Sequence, residues 1–229
     1  QGVYQNARKT IEELMKFSKG LSNINVNIAS VIMPDNLKEI PLLLDSLASL
    51  PLKNYTYSAE LVRPATIEDK YVHFPNPGAL KQLYHQVIKF KEKIFSSKLQ
   101  NNLISKTFLS SMHYANIYTL YKVQYNYITQ RKKWPMRCCA GFDVAVIYNN
   151  GEVSICELRR PICNTKEVKN RESFLKIIKS ERKKSKNCYC THLCYILPSM
   201  YRSKKMLFVY IPLAMLRYFL VKLRWLNYF

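Results

Sequence analysis

Apolar positions at helical spacing mark the first element: in residues 4–19 (YQNARKTIEELMKFSK), Ile11, Leu14, Met15 and Phe17 fall on or beside one face. The period then changes. Residues 23–33 (NINVNIASVIM) alternate Ile24, Val26 and Ile28 with Asn25 and Asn27 before turning wholly apolar, which reads as a strand ended by Pro34-Asp35-Asn36. Asn36 and Glu39 stand at capping-box spacing, and Leu37, Ile40, Leu43, Leu44, Leu47 and Leu50 repeat at helical intervals. Pro41 lies inside that run, so the helix either starts later than Asn36 or bends in its first turn. Residues 55–63 (YTYSAELVR) read as a second strand. Helix, strand, helix, strand at this spacing predicts an α/β fold: parallel strands with covering helices, as in a piece of an α/β barrel or a doubly wound sheet.

A Pro-rich break, His73-Phe74-Pro75-Asn76-Pro77-Gly78, introduces a long helix over 79–94. A second is expected over 102–130, with Leu103, Phe108, Leu109, Met112 and the tyrosines on its buried side. Beyond it the character changes. Residues 142–148 and 152–158 are short β-rich runs around Asn149-Asn150-Gly151, a strong hairpin signal. A helix over 172–179 continues into a basic approach, Arg182 to Lys186, to Cys188-Tyr189-Cys190-Thr191-His192-Leu193-Cys194. Three regions follow: an α/β part over 1–130, a cysteine-rich module over 131–199, and a basic, apolar tail over 200–229. In the tail, residues 206–216 carry no charge, and Arg217, Lys222 and Arg224 follow without an acidic residue. Eleven apolar residues are too few to cross a bilayer as a helix but enough to lie in its surface.

The chain has 229 residues, with 36 Lys+Arg against 15 Asp+Glu and a formal charge of +21. Hydrophobic residues make up 48%, which excludes intrinsic disorder, and 5 Gly with 10 Pro exclude a fibrous protein. The charge calls for an anionic counterpart: nucleic acid, a membrane face, a substrate or an inorganic cofactor. The chain begins with Gln, as a processed product or a part of a longer protein does.

The seven cysteines, Cys138, Cys139, Cys156, Cys163, Cys188, Cys190 and Cys194, all lie beyond residue 137. A disulfide scaffold spreads its bridges, whereas clustered thiolates repel one another until a metal neutralises them, so a metal site in a reducing, cytoplasmic compartment is expected. With Asn150 and Gly151 as a two-residue loop, Cys156 lies opposite Ala145, and a turn at Gly141 folds Cys138 or Cys139 toward it. Four thiolates suit a 4Fe-4S cluster or zinc; paired C-x2-C knuckles favoured by structural zinc are absent, though His192 allows a mixed site, and buried structural thiols are the third reading.

These residues carry a family resemblance. Cys138-Cys139-Ala140-Gly141, then Val144-Ala145-Val146-Ile147 and Asn150-Gly151-Glu152-Val153-Ser154-Ile155-Cys156, resembles the C-x-A-G, strand, G-x4-C opening of the SPASM and twitch modules that follow radical S-adenosylmethionine (radical SAM) barrels. Gly2-Val3-Tyr4, Thr10-Ile11, Leu14, the strand to Met33, Asn36 and the strand ending Glu60-Leu61-Val62-Arg63 resemble the second half of such a partial barrel. The resemblance covers most of 1–197. It implies an oxidoreductase fragment with one auxiliary 4Fe-4S cluster, and Cys138, Cys156, Cys188, Cys190 and Cys194 as its candidate ligands. Cys139 is then an extra thiol and Cys163 a reserve. The fuller C-x2-C-x5-C-x3-C pattern is replaced by Cys188-x-Cys190-x3-Cys194. The C-x3-C-x2-C motif for the cluster that cleaves S-adenosylmethionine is absent from these residues, so the resemblance implies no radical chemistry by this chain alone.

At a strand end, Arg63 is a candidate contact for S-adenosylmethionine or for a peptide or small-molecule substrate, against a surface pairing with Glu60 or Glu68. Asn25 and Asn27 either face a barrel interior or occupy a solvated face. His73, His85 and His113 are isolated and read as packing or surface residues; His192 reads as a ligand, a donor to cluster sulfur or a cap. The run from Arg182 to Lys186 offsets thiolate charge, and the tail reads as contact with an anionic membrane. The alternative is a non-enzymatic zinc- or nucleic-acid-binding protein, for which lysines and tyrosines offer phosphate contacts and stacking, but no nucleic-acid motif accompanies them.

Overall fold

The computed structural model describes residues 2–18, 26–51, 55–62, 76–99, 103–130, 132–184 and 190–223. The fold is mixed α/β and mostly helical, with few strands and no closed barrel among the described residues. It divides into two compact units. One comprises Gln1–Leu61, Pro75–Tyr118 and Leu213–Phe229; the other comprises Val62–Phe74 and Thr119–Pro212.

The first unit begins with α1 (Gly2–Ser18), on which Met15 is buried while Leu14 and Phe17 are exposed. Strands β1 (Val26–Ile32) and β2 (Tyr55–Leu61) pair in parallel, Val26 opposite Tyr55 through Ile32 opposite Leu61, with α2 (Glu39–Ala48) as the crossover. The alternation in the sequence is the alternation in the sheet: Ile28, Ser30 and Ile32 of β1 are buried with Tyr55, Tyr57, Ala59 and Leu61 of β2. Asn27 is on the exposed side, where its Oδ1 accepts from the Thr56 hydroxyl at 3.0 Å; Asn25 lies outside the described residues. The Tyr55 hydroxyl donates to the Leu47 carbonyl at 2.6 Å, tying the end of α2 to the start of β2.

The capping-box expectation at Asn36 is corrected. Its Oδ1 accepts from the Met33 N–H at 2.9 Å and its amide donates to the Val31 carbonyl at 2.8 Å, so it closes the short 3-10 turn Pro34–Asn36 after β1. The helix begins at Glu39, which places Pro41 in the first turn, where no intrahelical partner awaits its missing N–H. α3 (Pro77–Lys98) packs on β2 and α2 and is capped by Asn76, whose side chain accepts from the N–H groups of Gly78 and Ala79. α4 (Leu103–Gln130) buries Tyr114, Ala115, Ile117 and Tyr121, but Phe108 and Met112, expected inside, are exposed.

The second unit holds a three-stranded antiparallel sheet of β3 (Val146–Ile147), β4 (Glu152–Ser154) and β5 (Cys163–Asn164). Val146 faces Ser154 and Ile147 faces Val153, one residue away from the register expected. The loop has three residues, 149–151, because Tyr148 and Glu152 still bond (2.8 Å) and Gly151 takes the left-handed φ of +83° that this turn demands. α5 (Arg171–Lys184) and α6 (Leu193–Arg202) follow. A π turn, Met206–Tyr210, precedes α7 (Ile211–Lys222), which lies in the first unit from Leu213 onward. The wider turn absorbs Pro212, whose ring has no place in an unbroken α-helix.

Candidate metal centre

One apolar core fills the second unit. Cys139, Cys156 and Cys190 are buried in it with Ile155, Leu158, Tyr195, Ile196 and Met200, and Cys138 packs against it, half-buried. Cysteines up to 52 positions apart in sequence thus share one core. The loops that deliver them have little regular structure, so each is held by a buried polar side chain.

The Cys138-Cys139 segment is followed by a turn in which the Phe142 and Asp143 N–H groups bond to the Cys139 carbonyl and Gly141 N–H bonds to the Val144 carbonyl. Gly141 has φ +70°, and a Cβ there would stand 2.9 Å from Ile155 Cγ2 and 3.1 Å from Arg182 Cγ. Both its backbone and its neighbours therefore require glycine. The Cys139 N–H donates to Ser199 Oγ at 2.8 Å, and its Sγ donates to the Tyr195 carbonyl at 3.5 Å. Burial raises the pKa of this thiol above its ordinary range. Cys138 is half-buried beside the positive charge of Arg182, whose guanidinium also lies over the Phe142 ring.

Cys156 sits in the bend after β4. Ser154, fully buried, donates to the Cys156 carbonyl at 2.7 Å, lies 3.1 Å from the Arg159 carbonyl, and accepts from the Cys156 N–H at 3.3 Å. Tyr195 is hydrogen-bonded to Cys156; burial first, then charge at Cys156, pushes its hydroxyl pKa far up. Cys190 Sγ accepts from the His192 N–H at 3.4 Å. Gln124 of α4 donates to the Thr191 carbonyl at 2.6 Å and anchors this loop. His192 stands at the start of α6 without a side-chain cap; its ring contacts Tyr195 edge-on and its Nε2 lies 3.1 Å from the Glu157 carboxylate.

The remaining candidates are placed differently. Cys194 is exposed on the first turn of α6, and Cys163 is half-buried in β5 opposite Val153, its thiol pKa raised by burial and by Glu167. Cys188, Arg63 and His73 lie outside the described residues, as does most of the basic run's end. Among the described residues, no three Cys, His, Asp or Glu side chains gather closely enough to hold a metal ion. The described residues thus assemble no ligand set; they place three candidate thiols, Cys138, Cys156 and Cys190, in or against one apolar core, with Arg182 beside Cys138. Sequence spacing found the cysteines but missed Ser154, Ser199, Gln124 and Glu157, which carry no signal of their own. Comparison of the chain with protein-family models, curated proteins and solved structures finds no match in any of the three.

Proposed function

We propose that the chain is the C-terminal part of a radical SAM/SPASM-type oxidoreductase, a half-barrel followed by a module for an auxiliary 4Fe-4S cluster. The observation that carries it is the delivery of Cys138, Cys156 and Cys190 into one apolar core by separately pinned loops. Cys188 would complete the set, and Cys194, exposed on α6, is the fifth candidate. Cys139 is committed to the Tyr195 carbonyl and belongs to the packing. When bound, such a cluster supplies electron transfer or a substrate site. The chain's own residues exclude water from it, hold Cys156 through Ser154, and set positive charge beside Cys138 through Arg182. The parallel β1–β2 pair with its α2 crossover supports the half-barrel reading. With no C-x3-C-x2-C motif, these residues support the radical chemistry of an unknown peptide or small-molecule substrate and do not generate the radical.

Anaerobic reconstitution with iron and sulfide tests this. About four iron and four acid-labile sulfide per chain are expected, falling by more than half in Cys190→Ser and unchanged in Cys139→Ser that remains folded. A colourless protein holding zinc without sulfide overturns it in favour of a zinc-binding protein.

For the tail, we infer peripheral contact with an anionic membrane surface. No described helix is long and apolar enough to cross a membrane. Yet Leu207, Phe208, Val209, Tyr210, Leu213, Leu216, Phe219 and Leu223 are exposed, and no acidic residue follows Glu181. Sedimentation with phosphatidylserine vesicles is expected, with loss in Phe208→Glu/Leu216→Glu. Equal sedimentation with neutral phosphatidylcholine vesicles, or none with either, overturns the reading.

A further inference from the structure

The first unit contains a cavity of about 250 Å³ lined by β2, α3 and α4, and by Asn27 of β1. Its chemistry is unusual for a surface recess. Lys91 and Lys98, two turns apart on α3, and His113 of α4 all line it, so three basic groups share one small space. Burial first, and then the charges of both lysines, disfavours protonation of His113. Glu60 of β2 acts on Lys91 in the opposite sense. The His113 ring is fixed rather than adaptable, stacked on Phe95 with centroids 3.9 Å apart and planes 10° from parallel, and hydrogen-bonded to the main chain of Lys91. Thr56 and Ser58 add hydroxyl groups to the lining, and the Ser58 Oγ is buried with no hydrogen-bond partner among the described residues.

The cavity therefore collects two lysine side chains, an imidazole and a buried hydroxyl with no hydrogen-bond partner among the described residues. An anion would pair with the lysine ammonium groups, accept from the Ser58 hydroxyl and place its apolar body against Ile94 and the Phe95–His113 stack. We propose that this cavity binds a small organic anion, a carboxylate or a phosphate monoester carrying an aromatic or short apolar body of about ten non-hydrogen atoms in all. The site is separate from the cysteine core, and nothing in the proposal depends on a metal centre.

The test titrates the full chain with phenyl phosphate, benzoate and neutral benzyl alcohol, reading heat and the His113 Cε1–H resonance. Saturable binding of at least one anion with a matching shift of that resonance is expected, together with at least fivefold weaker binding in Lys98→Gln and in Ser58→Ala. The tighter of the two anions names the headgroup, phosphate or carboxylate. Benzyl alcohol binding as tightly as both anions, affinity unchanged in both variants, or no anion moving the His113 resonance overturns the proposal.

Discussion

The two units use the polar groups at their candidate sites in different ways. In the cysteine-rich unit, Ser154, Ser199 and Gln124 each bond to main-chain groups of loops that lack regular structure, so polarity is used up in positioning. In the α/β unit, where strands and helices already satisfy the backbone, Lys91, Lys98 and His113 line a cavity, and burial with the two lysine charges disfavours protonation of His113. Burial with satisfied partners builds a rigid frame, whereas basic groups gathered around a cavity leave donors that a ligand can use. The cysteine core is thus built to hold residues still, and the cavity is built to be filled.

The largest effect should come from breaking the frame at Gly141. Gly141→Ala forces a left-handed φ on a residue with a side chain, about 1 kcal/mol, and drives its Cβ toward Ile155 and Arg182. We expect about 3 kcal/mol of destabilisation in all, read as a lower denaturation midpoint together with weaker retention of iron after reconstitution. A loss under about 1 kcal/mol would show that the Cys138-Cys139 turn is not rigidly specified, and the contrast between the units would weaken.

Much of the fold was legible where period and boundary agreed. Alternation located β1 and β2, and the Pro-rich break located the start of α3. What escaped was decided by geometry that local pattern does not encode. Asn149-Asn150-Gly151 admits both a two- and a three-residue loop, and the choice shifts the pairing of every residue after it, Cys156 included. α4 is apolar on several sides, so the spacing of Phe108 and Met112 does not say which side is covered. Asn36 fitted a helix cap, but its side chain found the nearer Met33 N–H. At the candidate sites, cysteine spacing is conspicuous, whereas a serine in a β-rich run resembles any other. Lys91 and Lys98 are hidden among the other lysines of α3, and His113 looked isolated because its partners are about 15 to 22 residues away in sequence and adjacent only in space.

The smaller effect is a pH dependence, and it probes the other side of the contrast. Burial, followed by the charges of Lys91 and Lys98, lowers the His113 pKa from 6.5 to about 4, against the opposing influence of its hydrogen bond to the Lys91 main chain. The unfolded chain therefore takes up a proton near pH 6.5 while the folded chain does not until about pH 4. Stability from this group is full above pH 6.5 and is lost as pH falls toward 4, because the unfolded state binds more protons across that window. Lys91, lowered to about 8 by burial against the raising influence of Glu60, acts in the same sense, but between 10.5 and 8 and so outside it. Since His113 keeps partial solvent contact, the loss should be about 2 kcal/mol rather than the full value of the shift. His113→Phe preserves a ring against Phe95 and removes the titration. Carboxylates elsewhere titrate equally in both proteins, so the stability difference between wild type and variant isolates the histidine. Urea denaturation at pH 7 and pH 4.5 should show the variant gaining on the wild type as pH falls. An unchanged difference would mean that the folded protein does not disfavour protonation of His113, and the cavity would lose the electrostatic character that sets it apart from the cysteine core.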